Sequence, residues 1–181
     1  MTGARDLAWS ETLRNGLAVT FRSLRPDDRE RIANAIRELG PESIYTRLFS
    51  HRTELTEAAL DRITAIDPAR DVALLATIGA GDNETVIGSG RYMASADTGS
   101  GRTAEVAFIV EEDYQGLGIA GRLLRHLADI ARTRGLLEFE ADVLAKNKSM
   151  LAVFARSGLP MEKRRDGDVV HVTLSLAAEA A

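Results

Sequence analysis

Apolar positions along this chain recur at two periods. A period of two runs through Leu17, Val19 and Phe21, and again through Phe139, Ala141 and Val143, predicting half-buried strands over 17–24 and 136–144. Continuous apolar runs at 71–78 and 104–110 predict buried strands. Another strand is expected over 85–94, after a polar hairpin loop at 79–84 and before a loose turn at 97–101. The helical period appears in Ile32, Ala33, Ile36 and Leu39, after Arg25-Pro26-Asp27-Asp28 and before the stop Gly40-Pro41. It recurs in Ile119, Leu123, Leu124, Leu127 and Ile130 over 118–134, with Arg134-Gly135 as C-cap.

The remaining segments follow from capping and turn residues. Residues 41–66 read as a helical region, a short helix over 41–49 and a longer one from Thr53 to Ile66, closed by Asp67-Pro68. Asn147 is placed to cap a helix carrying Met150, Leu151, Val153 and Phe154, stopped at Ser157-Gly158. Two final strands, 161–165 and 169–176, flank Asp166-Gly167-Asp168. Residues 1–14 show no period beyond Trp9 and Leu13, which suggests a frayed arm docking one aromatic, and 177–181 read as a frayed alanine-rich tail. The predicted order is β-α-α-β-β-β-α-β-α-β-β, without repeat or linker, and 181 residues suit a single domain over 1–181.

Composition narrows the function more than the fold. With 45% hydrophobic and 28% charged residues the chain is ordinary for a globular protein. Absence of cysteine excludes disulfides, thiolate metal sites and a cysteine nucleophile. A net charge of −4 argues against nucleic acid as a partner and is compatible with a cationic amine. No apolar run approaches the roughly 18 residues of a membrane span, and Met1 to Ser10 lacks a signal-peptide core, so a cytoplasmic location is expected. His51, His126 and His171 are scattered, and no metal is expected. His126 is expected on the outward side of its helix and His171 within an alternating strand, each in a structural role.

The candidate chemistry lies in the stretch Ala104 to Gly121, a strand, a turn and a glycine-rich entry into a helix. Free N–H groups at a helix N-terminus, approached through glycines, form an anion site suited to a pyrophosphate. Gly116, Gly118 and Gly121 have the spacing of a dinucleotide fingerprint, but they fall two-thirds along a short chain, leaving little room for a doubly wound sheet. No phosphate loop ending in Gly-Lys-Ser/Thr is present. Gln115-Gly116-Leu117-Gly118-Ile119-Ala120, a Gln-x-x-Gly-x-Ala pattern, resembles the acyl-CoA signature of the GNAT superfamily of N-acetyltransferases, and the predicted element order is similar throughout.

That resemblance implies an α/β (α+β) GNAT fold, a mixed, mostly antiparallel sheet of about seven strands flanked by about four helices. It implies acetyl-CoA as acyl donor and an amine as acceptor. Deprotonating a lysine ammonium of pKa about 10.4 needs a base. Glu105 matches the glutamate that GNAT protein-lysine acetyltransferases carry on this strand. Flanked by apolar residues, it is expected to be partly desolvated, which suits a base at neutral pH. The main chain of Phe108, Ile109 and Val110 is expected to bond the pantetheine arm and the oxyanion, and Gln115 to Gly121 the pyrophosphate. Asn147 matches an asparagine that contacts pantetheine, although a plain N-cap explains it nearly as well. Phe154 takes the cofactor-side position where many members carry a tyrosine acid, so thiolate departure without a proton is expected. Tyr114 and Tyr45 are weak substitutes. Glu111, Glu112 and Asp113 are expected to be solvated turn acids, and Arg47 and Arg52 solvated helix arginines.

Residues 144–151, with no tyrosine after them, and Ser43 to Ser50 resemble the bacterial Pat-type protein-lysine acetyltransferases that modify acyl-CoA synthetases. The resemblance therefore implies a protein lysine as acceptor; a monomer or homodimer is expected. A small-molecule amine acetyltransferase and a non-catalytic acyl-CoA sensor are the rival readings.

Overall fold

The computed structural model describes residues 7–37, 61, 64–67, 69–95 and 102–177. Eight strands form one sheet: β1 (Ala8–Thr12), β2 (Ala18–Ser23), β3 (Asp71–Ile78), β4 (Thr85–Ala94), β5 (Thr103–Val110), β6 (Glu138–Leu144), β7 (Met161–Asp166) and β8 (Val169–Ser175). The α-helices bounded within the described residues are α1 (Arg29–Arg37), α2 (Ile119–Thr133) and α3 (Lys148–Ala155). The sheet runs β1-β2-β3-β4-β5-β6-β8-β7, and only the β5–β6 neighbours are parallel. A parallel pair needs a crossover, and α2 is that crossover.

The apolar face of α2 buries Ile119, Leu123, Leu124, Leu127, Ala128 and Ala131 in the main core. Two glycines of β4 let the helix sit close to the sheet. A Cβ at Gly90 would lie 2.9 Å from the Phe108 ring and 3.1 Å from Leu127 Cδ1, and one at Gly88 would lie 3.3 Å from Ile119 Cγ2. The helix start and the middle of β5 are thereby fixed against each other.

At the other end, Arg22 of β2 is buried, which is stable only with full pairing. It donates two bonds to the Asp28 carboxylate, at 2.6 and 2.8 Å, and a third from Nε to Glu84 at 2.7 Å. The Arg25 backbone N–H also donates to Asp28, at 2.6 Å. The network ties the entry of α1 to the β3–β4 hairpin.

Most predicted bounds hold within two residues, and β3 and β4 match at both ends. One assignment is corrected. The expected N-terminal arm is a strand, β1, paired with β2 from Ala8↔Arg22 to Thr12↔Ala18, and Leu13 behind it is buried. That strand raises the expected seven to eight. It also corrects His126, which is buried at 8% exposure rather than turned outward. Trp9 of β1 stacks on its ring at 4.2 Å between centroids, and its Nε2–H donates to Glu11 at 2.7 Å. Asp61 and Thr64 are helical, as expected of the helix ending at Ile66. The rest of the expected helical region through residue 60, with Tyr45, Arg47, His51, Arg52 and the stretch Ser43 to Ser50, lies outside the described residues, as do the turn 97–101 and the tail 178–181.

Candidate active site

The centre of the site is a strand that loses its partner. Parallel pairing of β5 with β6 covers Thr103↔Glu138, Ala104↔Phe139 and Glu105↔Glu140 and then stops, while β5 stays paired with β4 as far as Val110. The two strands therefore splay beyond Glu105. The Glu111 N–H donates to Ile87 O and the Ser95 N–H to Thr103 O, both at 2.9 Å. These bonds fix the alternation: odd-numbered residues of β5 turn their main-chain groups to β4, and even-numbered residues turn theirs toward β6. Phe108 and Val110 thus turn their N–H and C=O groups to the side of the splayed gap, where Val110 O accepts from the Gln115 side chain. Ile109, expected to bond the pantetheine arm alongside them, is corrected: its main chain belongs to the β4 ladder.

Beyond Val110, a turn of 3₁₀ helix at Glu112–Tyr114 leads into the glycine loop. The Gln115 side-chain N–H donates to Val110 O at 3.0 Å and ties the loop back to the strand end. Gly116 and Gly118 have φ of 80° and 87°, the left-handed region that favours glycine. The first helical bond runs from the Arg122 N–H to Gly118 O, so the N–H groups of Ile119, Ala120 and Gly121 have no carbonyl within the helix. The side chains of Ile119 and Ala120 are buried, and Leu117 packs against the core, leaving the backbone to face a ligand. A Cβ at Gly116 or Gly121 would meet nothing within 4 Å. Together these form an open cradle of N–H donors at the positive end of a helix dipole. It fits a diphosphate.

Glu105 stands at the point of splay on the face opposite α2. It is exposed, because the apolar residues beside it in sequence, Ala104 and Val106, are buried on the other face. The expected apolar enclosure is therefore corrected. Its cross-strand partners are Met93 of β4 and Glu140 of β6, and Met93 in turn pairs with Asp71. A cavity of about 340 Å³ on this face is lined by Asp67, Arg70, Asp71, Met93 and Glu105 among others, and Arg70 donates to Ala94 O at 2.8 Å. Arg91 N–H donates to Asp71 at 3.1 Å, so that acid is already paired.

Other candidates take structural places. Asn147 Oδ1 accepts from the Met150 N–H at 3.2 Å, an N-cap bond, while remaining half-buried. Phe154 is 1% exposed and meets Phe108 edge-on at 6.1 Å between centroids. Its ring packs against that of Phe108 on β5. Glu112 and Asp113 are exposed turn acids, and Tyr114 packs against the core. His171 Nδ1–H donates to Asp142 across β8 and β6.

The sequence reading passed over Glu11 and Arg122. Glu11 alternates with Trp9 and Leu13, a faint strand signal, and its carboxylate accepts from Arg122 Nε at 2.7 Å.

Comparison with known proteins points the same way. A model described as the acetyltransferase (GNAT) family matches residues 35–159. The chain is 34% identical over 142 residues to acetyltransferase PA5475 of Pseudomonas aeruginosa, covering 78% of this chain and 75% of that protein. It is 34% identical over 146 residues to acetyltransferase Pat of Mycolicibacterium smegmatis, covering 81% of this chain but only 42% of that protein. The crystal structure of the GNAT domain of S. lividans PAT superposes with a TM-score of 0.83 at 32% identity, covering 93% of this chain and 96% of that one.

Proposed function

The chain belongs to the GNAT family of acetyltransferases and uses acetyl-CoA as acyl donor, and on that premise we propose that it acetylates lysine side chains of a protein, with Glu105 as general base. The observation that carries the reading is the placement of Glu105. Its carboxylate is exposed at the point where β5 and β6 part, beside a cavity on the face away from α2 that Asp67, Arg70 and Asp71 also line. An acceptor ammonium drawn to that face would meet a base next to the main-chain groups that point into the gap. Similarity to two proteins named Pat supports a protein acceptor, an acyl-CoA synthetase being the first to test. The reading includes one acetyltransferase domain acting in the cytoplasm. No helix among the described residues is long and apolar enough to cross a membrane.

Each step assigns a task to a group of this chain. Glu105 takes the ammonium proton, directly or through one water, freeing the nitrogen lone pair. That nitrogen attacks the thioester carbonyl carbon, and the developing oxyanion is received by an N–H of Phe108 or Val110. The carbonyl then re-forms as the C–S bond breaks, the sulfur leaves with the bond's electron pair as a thiolate, and the second proton on the acylated nitrogen passes to water. Because a thiol pKa lies near 8.5, departure without a proton is feasible near neutrality, which suits a site where Phe154 replaces a hydroxyl-bearing ring.

Intact-mass analysis of a purified acyl-CoA synthetase after incubation with this protein and acetyl-CoA tests the reading. The expected result is one added acetyl group, formed about 10²- to 10⁴-fold more slowly with Glu105→Gln. Equal rates for the two enzymes would sink Glu105 as base. Acetylation of free polyamines or amino acids, with folded proteins untouched, would replace the acceptor by a small amine.

A further inference from the structure

The glycine loop that fits a diphosphate has no basic side chain of its own. Residues 115–121 contain no lysine or arginine, and Glu111, Glu112 and Asp113 precede them. A diphosphate carries at least two negative charges, and loop N–H groups alone meet it with partial charges. The nearest cation in sequence is Arg122, in the first turn of α2. Long helical side chains lean toward the N-terminus, and this one does. Its NH1 lies 3.6 Å from the position a Cβ at Gly118 would take, against the left-handed glycine that opens the helix.

What holds the guanidinium there comes from the other end of the chain. Glu11, on β1, accepts from Arg122 Nε at 2.7 Å, from Arg125 NH2 at 3.0 Å and from His126 Nε2 at 2.7 Å. The Arg122 side chain is 25% exposed and that of Glu11 19%. Trp9 stacks on His126 and closes the group from one side. Two arginines against one carboxylate leave the group with a net positive charge. The Glu11 bond uses Nε of Arg122, and NH1, the nitrogen beside Gly118, lies on the loop side.

We propose that Arg122 is the side-chain cation that binds the diphosphate of acetyl-CoA, and that Glu11 is its positioning residue, reaching from β1 to orient the guanidinium over the glycine loop. The N-terminal strand thereby becomes part of the donor site. The proposal depends on acetyl-CoA as donor but on neither the acceptor nor the role of Glu105.

The test measures binding without an acceptor. Affinity for CoA is read by titration calorimetry, and affinity for pantetheine, which lacks the diphosphate, by ligand-detected NMR, both on the full chain. Arg122→Gln is expected to weaken CoA about tenfold or more, the size of a lost charge-assisted contact, and to leave pantetheine within about twofold. Glu11→Ala frees the guanidinium and is expected to weaken CoA about threefold or more, with pantetheine again unchanged. Glu11→Gln keeps an acceptor oxygen in place and is expected to retain the wild-type affinity or exceed it. Unchanged CoA affinity in Arg122→Gln overturns the proposal, and so does an equal loss for both ligands, which would mark a general disturbance of the fold. A Glu11→Gln loss as large as that of Glu11→Ala overturns the positioning role.

Discussion

Replacing Asp28 by asparagine tests how α1 is held to the sheet. Asp28 has no exposed side-chain surface and Arg22 only 3%. The substitution removes the charge facing a buried guanidinium and turns an amide donor toward it. Breaking a buried ion pair from one side costs about 3–5 kcal/mol. Here Arg22 keeps its 2.7 Å bond to Glu84, so the lower end, about 3 kcal/mol, is expected. Unfolding entropy of about 2.1 cal/mol/K per residue gives about 0.4 kcal/mol/K over 181 residues, so Tm should fall by about 8 °C at pH 7. The pH dependence carries a sign. Burial pushes the Asp28 carboxyl up, but the bonds from Arg22 and the Arg25 N–H, with the charges of Arg22 and Arg31, outweigh it and hold the carboxyl below its ordinary range. A depressed folded value means the contribution is complete above the unfolded pKa of about 3.9 and is lost as pH falls through the folded one. Melts of wild type and Asp28→Asn should therefore differ most at neutral pH and converge below about pH 4. A loss under about 2 °C at pH 7, or a gap that persists unchanged into acid, would refute this account of the network.

Three further outcomes follow from the site's surroundings. Gly90→Ala should overpack the seat of α2 against Phe108 and Leu127 and cost about 1–3 kcal/mol in urea unfolding, and an unchanged midpoint would mean the helix can shift freely. Asn147→Ala should cost about 1 kcal/mol as a lost N-cap, and Asn147→Ser should restore stability. If Asn147→Ser also restores the KM for acetyl-CoA, the asparagine acts as a cap alone. Phe154→Tyr should bury a hydroxyl beside Phe108, lower stability by about 1–3 kcal/mol and leave kcat unchanged. A higher kcat would mean that the phenol reaches the reacting sulfur.

The parts legible in the sequence are those whose signals are local. Strand β5, the glycine loop and α2 are contiguous, and each carries its own period or turn residues, so their place and their fit to a diphosphate could be read before any contact was known. β1 could not be read this way. Of Ala8-Trp9-Ser10-Glu11-Thr12, only Trp9 is a large apolar residue, and the inward position two residues on is a carboxylate whose partners lie more than a hundred residues away. His126 was misplaced for the same reason. Its flank of α2 is exposed by helical spacing alone and is buried by β1. The cavity beside Glu105 is likewise non-local, assembled from Asp67, Arg70, Asp71, residues 93–95 and Glu105.

The geometry of β5 explains why an acid stands inside an apolar strand. Side chains alternate between the faces of a sheet with period two, and main-chain groups alternate between its two neighbours with the same period. On β5 the two alternations are in step. Even residues Ala104, Val106 and Phe108 bury their side chains under α2, and from Phe108 onward their parity directs the backbone into the gap beside β6. Odd residues send their backbone into the β4 ladder and their side chains to the face away from α2, where Glu105 is exposed and Thr103, Ala107 and Ile109 are half-buried. One strand can thus present backbone donors on one side and a carboxylate on the face away from α2, the arrangement the proposed transfer needs. Moving the acid by one position would bury it beneath α2, and an apolar residue in its place would remove the base we propose. The single glutamate in Ala-Glu-Val-Ala-Phe-Ile-Val occupies an odd position, at the last rung before the gap opens.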